Sequence, residues 1–168
     1  MSTSTTSKKS NYSFLRIILG AVFLVFVSYQ IFADNNNEED FEKGRQLYEV
    51  AKKSFEEGNF DVAITQLEES LSLGFDAANG LLGEVHLKQH NYKAALHYLK
   101  EGLNAKNVEP FVPDYYGWVN YNLGMSYYLE RNGNIAYKYF KASHDLGYPP
   151  AAEYVNMLKE KEDRLPKG

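Results

Sequence analysis

The sequence predicts an all-α chain, in which a helix-turn-helix solenoid of three repeats and a C-terminal capping helix follow one N-terminal transmembrane helix. Three observations predict this architecture. A stretch of twenty residues near the start is almost wholly apolar, one phrase occurs three times in the remainder, and within each copy two residues recur at the i, i+4 spacing of a helix face.

Composition and charge exclude several classes of protein. The 168-residue chain contains no cysteine, so it has neither disulfides nor a thiol nucleophile. All 22 acidic residues lie at or after Asp34, whereas Lys8, Lys9 and Arg16 precede it. Because the body of the chain is therefore acidic, nucleic acid is not an expected partner.

The apolar stretch covers residues 14–33 and contains one charge, Arg16. At about 1.5 Å per residue, a helix of this length spans roughly 30 Å, the thickness of a hydrocarbon core. The positive-inside rule keeps the basic leader, residues 1–13, in the cytoplasm. We therefore expect a single-pass inner-membrane protein whose repeat domain is periplasmic or otherwise extracytoplasmic.

Two other interpretations of this segment remain open. A cleaved signal peptide usually has an apolar region of roughly 7–15 residues and a small-x-small site, for which Ile31 and Ala33 are the best candidates here. A mitochondrial presequence followed by a span would instead place the protein in the mitochondrial inner membrane. The polar residues 34–40 are expected to form a linker or the cap of the first helix.

The repeated phrase reads EEGNFDVAITQLEESL, KQHNYKAALHYLKEGL and LERNGNIAYKYFKASH. In each copy a polar turn precedes an alanine, and a large apolar residue follows four positions later, on the same helix face. These pairs are Ala63 and Leu67, Ala95 and Leu99, and Ala136 and Phe140. Twelve positions before each alanine stands a small residue: Ala51, Gly83 and Gly124. Each copy therefore predicts two closely packed helices.

The flanking residues complete the repeat domain, residues 41–164. Two apolar stripes are expected to face the core: Phe41, Leu47, Val50, Ala51 and Phe55 on the first helix, and Val62, Ala63, Leu67 and Leu71 on the second. An insertion, NAKNVEPFVPDYY, displaces the third copy, and its two prolines block helix continuation. The last helix, from about 151 to 164, turns wholly charged as a terminal cap should, before the tail, residues 165–168.

The spacing Leu82-Gly83, Tyr92, Ala95, Leu99, and again Leu123-Gly124, Tyr127, Ala136, Phe140, resembles the tetratricopeptide repeat family. The helix endings at Gly74 and Gly147, each followed by paired alanines, are similar to the related SEL-like repeats. The resemblance implies stacked helical pairs whose first helices line a concave groove for a protein partner.

The same resemblance, carried over residue by residue, implies a set of partner-binding side chains. They are Arg45, Tyr48, Lys52, Glu84, Lys88, Trp118, Tyr121, Asn122, Met125 and Tyr128. Asn122 matches a family asparagine that hydrogen-bonds the backbone of a bound peptide. The groove then grades from charged to aromatic, which suits a partner segment with an acidic or polar end and an apolar end. Among the aromatic residues concentrated from Phe111 to Phe140, we expect Tyr127, Tyr137 and Phe140 to fill the core.

No motif predicts an enzyme or a cofactor. The sequence contains no G-x-S-x-G, P-loop or dinucleotide fingerprint. His86 and His90 are four apart, but HLKQH lacks the glutamate of a zinc-protease motif, so we expect no metal site.

The expected function is that of a membrane-tethered scaffold or assembly factor, which binds a membrane-associated protein in an envelope complex. The alternatives are a permanent small accessory subunit of a membrane complex and, less favoured, a metal-dependent enzyme.

Overall fold

The computed structural model describes the backbone of residues 5–106, 108 and 110–163, and the side chains of residues 19–30, 37–106, 108 and 110–160. This part of the chain forms α-helices and contains no strand, which confirms the all-α prediction. The helices are α1 (Thr5–Glu56), α2 (Phe60–Ser72), α3 (Ala78–Lys88), α4 (Tyr92–Gly102), α5 (Tyr115–Leu129), α6 (Gly133–Asp145) and α7 (Ala151–Asp163).

The chain divides into two compact units, Met1–Asp40 and Phe41–Gly168. In the first unit, the backbone is helical from Thr5 onward, through the predicted segment 14–33. The large apolar side chains described there are exposed: Leu19, Val22, Phe23, Leu24, Val25, Phe26 and Tyr29. A helix both long enough and apolar enough to cross a membrane is not found among the described residues.

Four predictions concern the ends of these units. The side chains of the leader, residues 1–13, and the whole of the tail, residues 165–168, lie outside the described residues. Residues 34–40, expected to form a linker or the cap of the first helix, are helical within α1. The capping helix α7 buries Ala151 and Leu158 against its neighbours and exposes Met157.

The second unit consists of three helix pairs followed by α7. The pairs are the part of α1 from residue 41 with α2, α3 with α4, and α5 with α6, and the turn inside each pair has the same geometry. The middle residue of each three-residue turn has a positive φ, at 81° for Gly58, 60° for His90 and 62° for Arg131. The asparagine that follows donates its backbone N–H over 2.8 Å to a carbonyl five residues earlier; these donors are Asn59, Asn91 and Asn132. The two helices of each pair are therefore joined by a turn of the same conformation in all three pairs.

The small residues predicted to bring paired helices together lie at equivalent packed positions. The three repeat alanines, Ala63, Ala95 and Ala136, are fully buried. A Cβ atom on Gly83 would lie 2.4 Å from Leu99 Cγ, and one on Gly124 would lie 2.6 Å from Phe140 Cδ1. Since 16 residues separate both pairs along the chain, the repeated packing is consistent with a helical solenoid.

The middle pair departs from the other two at one buried position. Ser70 donates its hydroxyl to the Gly44 carbonyl and Ser143 to the Gly117 carbonyl, both over 2.7 Å. The equivalent position in the middle pair is Gly102, where a Cβ atom would lie 2.9 Å from the hydroxyl of the fully buried Tyr115. The glycine therefore makes room for a tyrosine that enters from α5.

Two valines assigned to the buried stripes were predicted wrongly. Val50 is 47% exposed and Val62 is 51% exposed. Each directly precedes a fully buried alanine, Ala51 or Ala63, and one residue corresponds to about 100° around a helix. The valines are therefore turned away from the buried face.

The insertion between the second and third pairs packs against the repeats. Ala105 and Val108 are buried, and the Tyr116 hydroxyl donates over 2.6 Å to the Ala105 carbonyl. The ring of Phe111 lies 5.5 Å from that of Phe41 and 6.1 Å from that of Phe75. The ring contacts hold the segment that begins at residue 110 against α1 and the connection between α2 and α3.

Candidate functional site: a groove lined by the first helices

A cavity of about 270 Å³ in the second unit is lined by the first helix of every pair. Two further elements contribute: the segment 112–114 and Tyr148. Its lining residues are Tyr48, Lys52, Phe55, Glu56, Leu81, Glu84, Val112, Pro113, Asp114, Trp118 and Tyr148. The side chains are mostly aromatic or charged, and the tyrosines and the tryptophan among them are residue types that dominate binding energy at protein interfaces.

Four of the ten predicted binding residues meet in this cavity: Tyr48, Lys52, Glu84 and Trp118. Tyr48 is buried, with its ring 5.3 Å from that of Phe75, whereas Lys52 is exposed at the rim. The side chains of α1, α3 and α5 converge here because small residues such as Gly80 let the helices approach. A Cβ atom at Gly80 would lie 2.6 Å from Trp118 Cζ3.

A hydrogen bond between Glu84 and Trp118 forms the polar centre of the cavity. The indole Nε1–H donates to Glu84 Oε2 over 2.9 Å, joining α3 to α5. No other described group donates a hydrogen bond to this carboxylate, and none forms an ion pair with it within 4 Å. A half-buried carboxylate without a counter-ion is uncommon in protein interiors.

The surroundings of Glu84 shift its proton affinity. Burial raises the pKa of the Glu84 carboxyl, while the bond from Trp118 and the charge of Lys88 lower it by less. Burial also raises the pKa values of Tyr48 and Tyr148, and the negative charge of Glu84 adds to both shifts. Both phenols therefore remain protonated and can donate or accept hydrogen bonds.

We expect Glu84→Gln to raise the free energy of unfolding at pH 7, because it removes a carboxylate whose burial disfavours the charged form. Because the folded-state pKa is raised, the wild-type protein loses stability as pH rises past the unfolded value near 4.5, and the loss is complete above the folded value. Glutamine cannot ionise, yet its carbonyl can still accept from Trp118. Urea unfolding of the full chain between pH 4 and pH 8 measures the difference.

The matched control for this substitution is Glu101→Gln, since Glu101 is exposed on α4. Its effect on the free energy of unfolding should remain within about 0.5 kcal/mol. If Glu84→Gln instead destabilised the protein increasingly as the pH rises, the ionised carboxylate would stabilise the fold and the argument from burial would be wrong.

The other predicted residues lie outside the cavity lining. The Arg45 guanidinium forms a two-pronged ion pair with Glu42, with N–O distances of 2.6 and 2.9 Å. Lys88 is exposed one helical turn beyond Glu84. Asn122 is buried, and its side-chain amide donates to the Trp118 carbonyl over 3.2 Å, within its own helix.

Tyr121 belongs to an aromatic cluster at the end of the unit that contains α7. Its ring lies 5.7 Å from Phe140, 5.6 Å from Tyr148 and 5.7 Å from Tyr154. Phe140 is fully buried, as expected for the core, whereas Tyr127 and Tyr137 are only partly buried. Met125 is partly buried and Tyr128 is exposed.

Sequence reasoning missed the part of the cavity supplied by Val112, Pro113, Asp114 and Tyr148. Val112 to Asp114 belong to the insertion, and Tyr148 follows the left-handed Gly147 after α6. The insertion stood out in the sequence, but its spacing does not reveal which helices it covers.

The histidines have aromatic neighbours. The His86 ring stacks on Tyr98 at 5.4 Å, and His90 Nδ1 lies 3.1 Å from the Tyr92 hydroxyl. Among the described residues, no three histidine, aspartate or glutamate side chains are grouped closely enough to hold a metal ion.

The chain matches no protein-family model, and a search of curated proteins finds no similar sequence.

Proposed function

We propose that this chain is a membrane-anchored helical repeat protein of the tetratricopeptide type, with features of SEL-like repeats, that binds a segment of another protein. It acts as a scaffold or assembly factor for an extracytoplasmic membrane complex. The observation that carries the proposal is the cavity, because the first helices of all three pairs contribute to it. Helical solenoids commonly use such a concave surface to bind their partners.

The anchor in this proposal is the segment 14–33, with the basic leader in the cytoplasm and the repeat domain in the periplasm or an equivalent compartment. The exposed apolar side chains from Leu19 to Tyr29 support it, because water solvates such a surface poorly. An anchor of this kind confines the groove to the membrane surface. Its effective concentration for membrane-associated partners rises, so a modest groove affinity suffices.

The chemistry of the groove supports binding rather than catalysis. Trp118 provides a large and rigid contact surface, the buried Tyr48 contributes to the lining, and Lys52 and Glu84 add charge within the same cavity. A partner segment entering here would contact all three helix pairs at once. Binding energy would then be distributed over the repeat array.

Site-specific photocrosslinking of the full-length protein in its own membrane tests the proposal. A photoreactive benzoylphenylalanine at Lys52, which is exposed at the rim, should give a discrete crosslinked product. The same group at Lys138, exposed on α6 and outside the cavity lining, should not. Equal crosslinking at both positions, or none at Lys52, would contradict a binding role for the groove.

An accessory-subunit role has one specific observation in its favour. Phe111, in the insertion, is 41% exposed although its ring packs against two other phenylalanines, so it offers an apolar contact to a neighbour. A subunit would keep a fixed ratio to its partner through purification in mild detergent, whereas an assembly factor would be substoichiometric.

A further inference from the structure

The charges around the cavity do not balance. Three carboxylates line it, from Glu56, Glu84 and Asp114, against the single ammonium of Lys52. None of these four groups forms an ion pair with another charged side chain within 4 Å among the described residues. The groove therefore carries net negative charge and attracts cations.

The carboxylate of Glu84 is the group for which a counter-ion matters most. Oε2 accepts from the Trp118 indole, and no described residue supplies a donor to Oε1. Asp114, which also lines the cavity, is more exposed than Glu84. A half-buried carboxylate is best compensated by a charged donor, which forms stronger hydrogen bonds than a neutral one.

Aromatic side chains surround the same space. Tyr48, Trp118 and Tyr148 all line the cavity with Glu84. The faces of such rings attract ammonium and guanidinium groups, most strongly where water is excluded. At about 270 Å³, the cavity lies just below the range of roughly 300–1,000 Å³ typical of drug-sized ligand pockets. Its size suits one long side chain rather than a folded surface.

We infer that the cavity holds an arginine or lysine side chain of the partner segment, with its cationic group on Glu84 and its alkyl stem between the rings of Tyr48, Trp118 and Tyr148. This inference rests on the proposed function, since it names the chemistry of the segment that the groove binds. It differs from the acidic or polar segment end expected from the sequence, because Glu56 and Asp114 join Glu84 at the cavity.

Trp118 is the single tryptophan of the chain, so its fluorescence reports directly on the cavity. The test titrates full-length protein in detergent with four pools of seven-residue peptides, acetylated and amidated, with random flanks free of tryptophan. The central residue is arginine, lysine, norleucine or glutamate. We expect the arginine and lysine pools to bind at least about tenfold more tightly than the norleucine pool, and the glutamate pool to bind most weakly.

Glu84→Gln should remove most of this preference while leaving the fold intact, because glutamine keeps the acceptor for Trp118. Glu101→Gln, on the exposed face of α4, should leave the preference unchanged. A wild-type protein without preference for the basic pools, or a preference that survives Glu84→Gln, would overturn the inference.

The outcomes also separate this inference from the proposed function. If the norleucine pool binds as tightly as the arginine pool while the Lys52 crosslink forms, the groove still binds a partner and only the cationic side chain is refuted. If no pool binds and the crosslink is absent, both proposals fall.

Discussion

Replacing Phe140 with alanine is expected to lower the free energy of unfolding by about 3–5 kcal/mol. The side chain is fully buried, stacks on the Tyr154 ring at 4.6 Å and lies 5.7 Å from the Tyr121 ring. It also fills the space left by the absent side chain of Gly124. Its removal therefore leaves a cavity where α5, α6 and α7 meet, which these packed rings cannot close.

Urea unfolding of the full chain, followed by circular dichroism, measures this loss. Lys138→Ala on the same helix is the matched control, because Lys138 is exposed, and its effect should stay within about 0.5 kcal/mol. A loss below about 1 kcal/mol for Phe140→Ala would mean that the terminal aromatic cluster does not stabilise the third helix pair.

Adding a single methyl group at Gly83 should cost about 1–3 kcal/mol. In an unobstructed helix, glycine to alanine is stabilising, since alanine has the higher helix propensity. Here the new Cβ would lie 2.4 Å from Leu99 Cγ and 3.2 Å from the Leu99 backbone nitrogen, so α3 and α4 would have to separate. This clash makes the substitution destabilising, although helix propensity alone would make it stabilising.

Two comparisons isolate the steric cause. Gly133→Ala places a Cβ with its nearest neighbour, a carbon of Leu158, at 3.9 Å, so it should be neutral or slightly stabilising. Combining Gly83→Ala with Leu99→Ala should cost less than the sum of the two single losses, because the shortened side chain removes the clash. Strict additivity in this cycle would show that Gly83 is required for another reason.

The helix pairs could be predicted from sequence because their determinants are local. The spacing of Gly83, Ala95 and Leu99 is set by helical geometry, and the structure brings these residues together as that geometry requires. The same reasoning was wrong for Val50 and Val62, since apolar character alone does not fix where a buried stripe ends.

The candidate site could be predicted only in part. Residues on the first helices, such as Tyr48 and Trp118, follow from the repeat register. The segment 112–114 does not, because its position depends on long-range contacts of the insertion, including that between Phe111 and Phe41. The hydrogen bond from Trp118 to Glu84 likewise joins residues 34 apart in the chain, and no local pattern encodes it.

The middle helix pair has Gly102 where the first and last pairs have Ser70 and Ser143, so the three pairs cannot replace one another. The hydroxyl of Tyr115 occupies the space beside Gly102, and only the middle pair has a glycine at this position. If a copy of the first or last pair stood in front of α5, its serine side chain would clash with the Tyr115 hydroxyl. An array extended with copies of the middle pair would leave an empty space beside each added glycine that no tyrosine fills. The absence of a side chain at Gly102 therefore fixes the order of the helix pairs.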